Sequence, residues 1–173
     1  MNIPYIPESR LTTTTTNTPT QIDISARMDD YPQFRILSNL AHKEFVLDGI
    51  QFQCLEGFLQ AVKTDIPSLQ KAICAMEGFP AKRRGSKIDW WTMQTLYWNG
   101  KAYGRHTQEY QELIDRAFQA CYDQCPAFRT RLAETGNATI THTIGKDDPT
   151  QTILTISEFV DRLIRLRDFG TLS

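Results

Sequence analysis

The sequence of 173 residues lacks the patterns that mark the commonest enzyme and membrane-protein classes. It contains no GxGxxG or P-loop glycine pattern and no HExxH or GxSxG motif, so the corresponding nucleotide-binding and hydrolase chemistries are not indicated. No stretch approaches the roughly 18 consecutive apolar residues that a membrane-spanning helix needs. Because the N-terminus also lacks a basic region followed by an apolar one, we expect a cytoplasmic protein that does not contact a membrane.

Cysteine, histidine and net charge are scarce as well. The four cysteines form no CxxC pair, which favours reduced thiols over a disulfide framework. The three histidines stand alone without HxH or HxxxH spacing, so we expect no metal and no cofactor. The net charge of −1 argues against nucleic-acid binding through bulk positive charge, and any phosphate site must be local.

The composition nevertheless predicts one folded domain, since 40% of the residues are hydrophobic and 23% are charged. Residues 1–28 are rich in Thr and Pro and have few large apolar side chains after Ile6. They predict a tail or arm that precedes a domain over residues 29–173. The predicted class is α+β, a mostly helical single domain with a small β-hairpin element.

The predicted strands are short, and one hairpin stands out among them. Two apolar runs flank Asp48-Gly49, a favoured two-residue hairpin turn. The β-like segments are residues 34–37, 45–47, 50–52, 138–142 and 151–154.

Hydrophobic periodicity and capping residues place the helices. Apolar side chains at i, i+3, i+4 and i+7 predict a core-facing helix over 54–64. Pro67 and Pro126 are expected to start helices that end near Gly78 and Gly136. A basic connector is expected after the helix that begins at Pro67. Thr107 is a candidate cap for a helix over 108–124, and a Thr-x-x-Glu capping box over 155–158 opens the last helix, which ends near residue 167.

The helix over 54–64 carries the first candidate site. Glu56, Gln60 and Lys63 share one edge of it, so a carboxylate, an amide and an amine point in one direction. Such an edge can form the wall of a polar pocket. The same spacing is also typical of the solvent-exposed face of an amphipathic helix.

A second candidate site lies in the basic and aromatic segment that follows. Four cations, Lys82, Arg83, Arg84 and Lys87, fall within six residues of each other, and phosphates are their natural partners. A solvated basic loop explains the same pattern. The next segment contains Trp90, Trp91 and Trp98, whose rings either stack on a base or pack in the core.

These residues resemble, in order and spacing, the NADAR (YbiA-like) N-glycosidase family over residues 34–167. The resemblance rests on the 37–39 and 45–49 segments, Glu56 with Gln60 and Lys63, Ala81-Lys82 and the tryptophan segment. It implies an α+β fold and cleavage of N-glycosidic ribose derivatives, namely riboflavin-pathway intermediates and ADP-ribosylated guanine. Two positions depart from the family pattern. Gly57 replaces a histidine, and residues 142–148 replace a Trp-Gly motif.

The expected function is therefore an N-glycosidase that cleaves the ribose C1′–N bond of an ADP-ribosyl or related nucleotide derivative, free or in nucleic acid. The resemblance implies that Glu56 is the catalytic carboxylate and that Asn39, Lys63 and Lys82 are site residues. Because Lys63 shares the helix edge of Glu56, we expect it to be catalytic too, either by keeping Glu56 ionised, by orienting a ribose or phosphate oxygen, or by attacking C1′ itself. One alternative is a non-catalytic module that binds ADP-ribose or NAD derivatives, and another is an interaction protein whose polar helix edge is solvent-exposed. The expected ligand-binding residues are Asn39, Gln60, Lys82, Arg84, Trp90, Trp98 and Asp147.

Overall fold

The computed structural model describes residues 19–25 and 31–172, and over these residues the chain is a single α+β domain. Within these residues, short strands pair into three two-stranded sheets, and helices account for a much larger share of the chain than strands do. This agrees with the predicted fold class. No helix in the described part of the chain is both long enough and apolar enough to cross a membrane.

Two of the sheets are β-hairpins built on the same turn chemistry. The strands β2 (Phe45–Leu47) and β3 (Ile50–Phe52) are antiparallel around Asp48-Gly49, whose φ angles are +50° and +79°. This hairpin confirms the prediction. A second hairpin joins β4 (Thr95–Trp98) to β5 (Lys101–Gly104) through Asn99-Gly100, at φ +50° and +75°. This hairpin was not predicted from the sequence, although Asn-Gly is as good a hairpin signal as Asp-Gly.

The third sheet joins distant parts of the chain. Strand β1 (Gln21–Asp23) precedes every α-helix of the described residues, yet it pairs in parallel with β6 (Thr139–Thr141), which follows five of them. Ile22 and Ile24 are fully buried, so they belong to the folded core rather than to the predicted tail. Residues 1–18 and 26–28 of that predicted tail lie outside the described residues.

Two predicted β-like segments are not strands. Residues 34–37 belong to a 3₁₀ helix, Pro32–Leu37, in which Pro supplies the first position and Phe34 and Leu37 are buried three residues apart. Residues 151–154 are a turn and an irregular segment that crosses from β6 towards the last helix. Both segments are only four residues long, which is too few to separate the two-residue period of a strand from the period of a helix.

The α-helices agree with the predicted starts, with one addition. Thr107 caps α4 by accepting a hydrogen bond from the Tyr110 amide, and Thr155 and Glu158 form the predicted capping box of α6. The expected basic connector is itself a helix, α3. The α-helices of the described residues are α1 (Leu55–Ala61), α2 (Pro67–Cys74), α3 (Gly78–Gly85), α4 (Gln108–Gln124), α5 (Pro126–Glu134) and α6 (Ile156–Phe169).

Close packing of α3 on α1 sets the position of the candidate site. All seven residues of α1 are buried. A Cβ atom at Gly85 would lie 2.1 Å from Gln60 Oε1, so only glycine lets the end of α3 approach α1 this closely. The same packing places the basic residues of α3 beside the polar edge of α1.

Candidate active site

A cavity of about 260 Å³ lies between α1, α3 and the chain segment from the end of β6 to the start of α6. Its charged lining comes from α1, from α3 and from Lys63 just after α1, and its apolar lining comes mainly from the third element. The residues that line it are Asn39, Glu56, Leu59, Gln60, Lys63, Lys82, Ser86, Trp90, His142, Ile144, Gly145, Gln151, Thr152, Ile153, Leu154, Thr155, Ile156 and Phe159.

The polar edge of α1 faces this cavity. Glu56, Gln60 and Lys63 all line it together with Asn39, as the helix-edge prediction required. The Glu56 backbone amide donates a hydrogen bond of 2.9 Å to the Asn39 carbonyl, which ties the loop before β2 to the start of α1. The Gln60 Nε2 atom donates to Glu56 Oε1 at 2.7 Å. The edge is therefore a cavity wall and not a solvated helix face.

The basic segment divides between the cavity and the outer surface. Lys82, on α3, lines the cavity, and Trp90 lines it while being only 5% exposed. Arg84 is also on α3, but it is exposed and does not line the cavity, so its expected ligand contact is not supported. A helix turns by about 100° per residue, which explains why consecutive cations cannot all face one site.

Two further expected ligand-binding residues have structural roles instead. Trp98 is 1% exposed, packs against Phe52 and Phe58, and donates from its Nε1 atom to Asp48 Oδ2 at 2.8 Å. Asp147 accepts hydrogen bonds from the backbone amide and hydroxyl of Ser157, at 2.8 and 2.9 Å. Trp98 is therefore a core residue, and Asp147 fastens a loop to the first turn of α6.

Comparison with known proteins places the chain in a family. A family model described as bacteriophage protein GP30.3 matches residues 31–168. The chain belongs to the bacteriophage GP30.3 family. It is 38% identical over 137 residues to an uncharacterized 17.1 kDa protein from the Gp30-rIII intergenic region of Enterobacteria phage T4, covering 76% of this chain and 88% of that protein.

The fold of this GP30.3 family member is similar to that of a solved bacterial protein. The NMR structure of E. coli YbiA superposes with a TM-score of 0.56, covering 87% of this chain and 85% of that chain, at 18% sequence identity. The similarity establishes a YbiA-like fold. It supports that part of the resemblance proposed from the sequence.

The carboxylate of Glu56 lies in a strongly perturbed environment in this GP30.3 family member. Glu56 is 7% exposed, and burial raises the pKa of its carboxyl group above the usual value. The positive charge of Lys82, the Gln60 hydrogen bond and the positive charge of Lys63 act in the opposite direction and favour the ionised form. The cavity thus holds a desolvated carboxylate beside two amines, an arrangement that is common at catalytic centres.

The pKa of Lys63 is shifted in the opposite direction to that of Glu56. Burial lowers the pKa of its amine to about 8, Glu56 raises it, and Lys82 lowers it. At pH 7 most of the Lys63 population is protonated, and the neutral fraction grows as the pH rises through 8. The residue can therefore supply either a cation or a neutral amine close to physiological pH.

Three polar atoms of the cavity-lining residues are buried without a hydrogen-bond partner. They are Asn39 Oδ1, Gln60 Oε1 and His142 Nδ1. Buried polar groups in folded proteins are nearly always paired, so each of these three atoms calls for an explanation such as a bound water, an ion or a catalytic role. His142 was noted in the sequence only as an isolated histidine, because its place in the cavity depends on a strand pairing that the sequence did not reveal.

A buried ionic network fixes the irregular wall of the cavity. Arg105, which is 1% exposed, donates from both terminal nitrogens to the Glu158 carboxylate and from Nε to the Thr152 carbonyl. The Tyr110 hydroxyl donates to the Ile153 carbonyl at 2.8 Å. These bonds hold residues 152–155 in place without regular secondary structure. Among residues 19–25 and 31–172, no group of three or more His, Cys, Asp or Glu side chains is arranged to hold a metal ion.

Proposed function

We propose that this protein is an N-glycosidase that cleaves the ribose C1′–N bond of an ADP-ribosyl or related nucleotide derivative, such as ADP-ribosylated guanine. The proposal rests on one observation, the desolvated Glu56 carboxylate flanked by Lys63 and Lys82 in a cavity with unpaired polar atoms. The YbiA-like fold and the ordered family motifs are compatible with it.

Glu56 is suited to the electrostatic demand of this reaction. Breaking the C1′–N bond develops oxocarbenium character on the ribose, and a carboxylate beside C1′ stabilises the positive charge or activates the attacking water. Burial strengthens this interaction because the local dielectric is low. The Gln60 hydrogen bond holds the carboxylate in one orientation, so little reorganisation is needed during the reaction.

Lys63 has two chemically distinct roles available. As a cation it keeps Glu56 ionised and orients a ribose or phosphate oxygen, which is the role that we favour. As a neutral amine it attacks C1′ and forms a C1′–N bond to Lys63 while the bond to the base breaks; the base leaves with the proton that the attacking amine loses, and water then releases the ribose from Lys63. The pKa of about 8 permits this step in part of the Lys63 population. The pH dependence of the rate separates these roles.

The remaining cavity residues provide binding groups for an ADP-ribosyl ligand. Lys82 is the cation that faces the cavity from α3 and is placed to bind a phosphate. Asn39 offers an unpaired carbonyl oxygen to a ribose hydroxyl or a base. Trp90 is an aromatic residue that lines the cavity, and aromatic rings are suited to contact with a base.

The test is product formation from a defined substrate panel. Purified protein is incubated with NAD, ADP-ribosylated guanosine and an oligonucleotide that carries ADP-ribosylated guanine, and released base and ADP-ribose are measured by chromatography with mass spectrometry. We expect base release from at least one ADP-ribosylated guanine compound. Tight ADP-ribose binding without base release would support a non-catalytic binding module, and absence of both would overturn the proposal.

A further inference from the structure

The two sides of the cavity differ in charge. The wall formed by α1, α3 and the loop before β2 contributes the charged side chains of the cavity, Glu56, Lys63 and Lys82. The facing segment, from residue 142 to residue 159, contributes no Asp, Glu, Lys or Arg to the lining described. Its apolar lining residues are Ile144, Ile153, Leu154, Ile156 and Phe159. A ligand with one charged end and one flat, weakly polar end fits this division.

Most polar side chains of the apolar wall are already engaged within the protein. The Thr152 hydroxyl donates to the Leu154 carbonyl, and the Thr155 hydroxyl accepts from the Glu158 amide. Gln151 donates to Asp148 and accepts from Lys146. These groups are therefore poorly available to a ligand.

His142 is the exception on this wall. Its ring lies edge-on to Phe159, with ring centroids 5.3 Å apart and an interplanar angle of 78°. Its Nδ1 atom is buried and has no hydrogen-bond partner. The wall thus offers one unpaired polar atom among apolar side chains.

The backbone around His142 is fixed from both sides. On the N-terminal side it follows β6, which pairs with β1. On the C-terminal side the Thr143 amide and hydroxyl donate to the two carboxylate oxygens of Asp23, at 3.2 and 2.6 Å. The ring is consequently held in place by strand β1 and not by a mobile loop.

The imidazole is electrically neutral under physiological conditions. Burial lowers the pKa of His142, Asp23 raises it and Lys82 lowers it. A neutral imidazole with its proton on Nε2 presents Nδ1 as a hydrogen-bond acceptor. An acceptor in an apolar wall selects a ligand group that carries an N–H or O–H donor.

We propose that His142 recognises the leaving base of the substrate by accepting an N–H hydrogen bond at Nδ1, while the ribose and phosphates lie along α1 and α3. This inference rests on the proposed function and specifies which wall binds which part of the ligand. The base fits the apolar wall because its ring is flat and uncharged and its edge carries N–H donors. The phosphates fit the opposite wall because Lys82 lies there.

The test compares ligands with and without the base. In a Glu56→Gln background, in which turnover is expected to be slow, dissociation constants are measured by calorimetry for ADP-ribose and for ADP-ribosylated guanosine. His142→Leu removes the acceptor at similar volume, whereas His142→Asn retains an oxygen acceptor close to the Nδ1 position. We expect His142→Leu to weaken binding of ADP-ribosylated guanosine about tenfold and to leave ADP-ribose binding unchanged, and His142→Asn to retain most of the affinity.

Other results of these affinity measurements would contradict one or both proposals. Equal loss for both ligands, or no loss for either, would overturn the role of His142 in base recognition. If the protein with unaltered Glu56 releases no base although both ligands bind, the glycosidase proposal is wrong, and the His142 comparison is still decided by the affinities. If neither ligand binds, both proposals are wrong.

Discussion

Gln60 and Glu56 lie one helical turn apart on α1, and the amide nitrogen of the first donates a 2.7 Å hydrogen bond to the carboxylate of the second. The bond is buried, so water competes with it weakly. It gives the carboxylate one orientation towards the cavity that both residues line. The predictions about catalysis follow from this arrangement.

Glu56→Gln should lower turnover by roughly 10²–10³ while leaving ADP-ribose affinity within a few-fold of the parent value. The amide keeps the size and the hydrogen-bonding oxygen of the carboxylate, but it cannot stabilise positive charge at C1′. Initial rates of base release and calorimetric affinities measure the two effects separately. Glu44→Gln is the matched control, because Glu44 is exposed and does not line the cavity.

The same variant should be more stable at pH 7, with a melting temperature higher by about 2–4 °C. Burial raises the pKa of Glu56 above its usual value of 4.5, so ionisation costs folding stability as the pH rises through the folded-state pKa. Gln removes this cost, and the difference should vanish below pH 4.5. A variant that melts lower than the parent at pH 7 would contradict this account.

Lys63 should make the rate depend on pH near 8. If its cation acts in the reaction, kcat/KM falls as the pH rises through about 8, because the proton is lost there. Lys63→Arg should move this decline to higher pH, since the guanidinium stays charged. A rate that instead rises through pH 8, together with a borohydride-trapped covalent adduct on Lys63, would assign the residue as the nucleophile.

Lys82 and Arg84 should differ in their effect on ligand binding although both are on α3. Lys82→Ala should weaken ADP-ribose binding about tenfold at low ionic strength, and added salt should reduce the difference. Arg84→Ala should change the affinity less than twofold, because Arg84 is exposed outside the cavity. Titrations of both variants at two salt concentrations measure this, and equal losses would indicate a diffuse charge effect instead of a phosphate contact.

Ile22→Ala should destabilise the protein by roughly 2–4 kcal/mol, because the side chain is fully buried in the core. Urea unfolding followed by far-UV circular dichroism measures the change. Gln21→Ala is the control, since Gln21 is exposed on the same strand. A small effect at position 22 would mean that β1 contributes little to the fold.

Local signals were sufficient for much of the fold and for half of the site. The Asp48-Gly49 turn, the Thr107 cap and the 155–158 capping box each depend on a few adjacent residues, so the sequence predicted them directly. The shared edge of Glu56, Gln60 and Lys63 follows from helix geometry alone. Helix geometry does not, however, show which part of the chain faces this edge and completes the cavity.

Features that depend on long-range packing were not predictable in the same way. The buried state of Ile22 depends on pairing with β6, and nothing in the Thr-rich segment around it indicates a strand partner. Trp98 and Trp90 are both buried in the core, yet only packing decides that Trp90 also lines the cavity and Trp98 does not. The position of His142 depends on both kinds of information, a short strand and its distant partner.

The contact between Asp23 and Thr143 closes a loop of 120 residues, and this has a consequence for biosynthesis. Strand β1 leaves the ribosome before α1 to α5, but it stays unpaired until β6, which follows α5, has emerged. Because a contact at such separation forms late and at a high entropic cost, the wall that carries His142 completes the domain last. A nascent chain that ends before β6 already carries Glu56 and Lys63, yet it lacks the opposite half of their cavity.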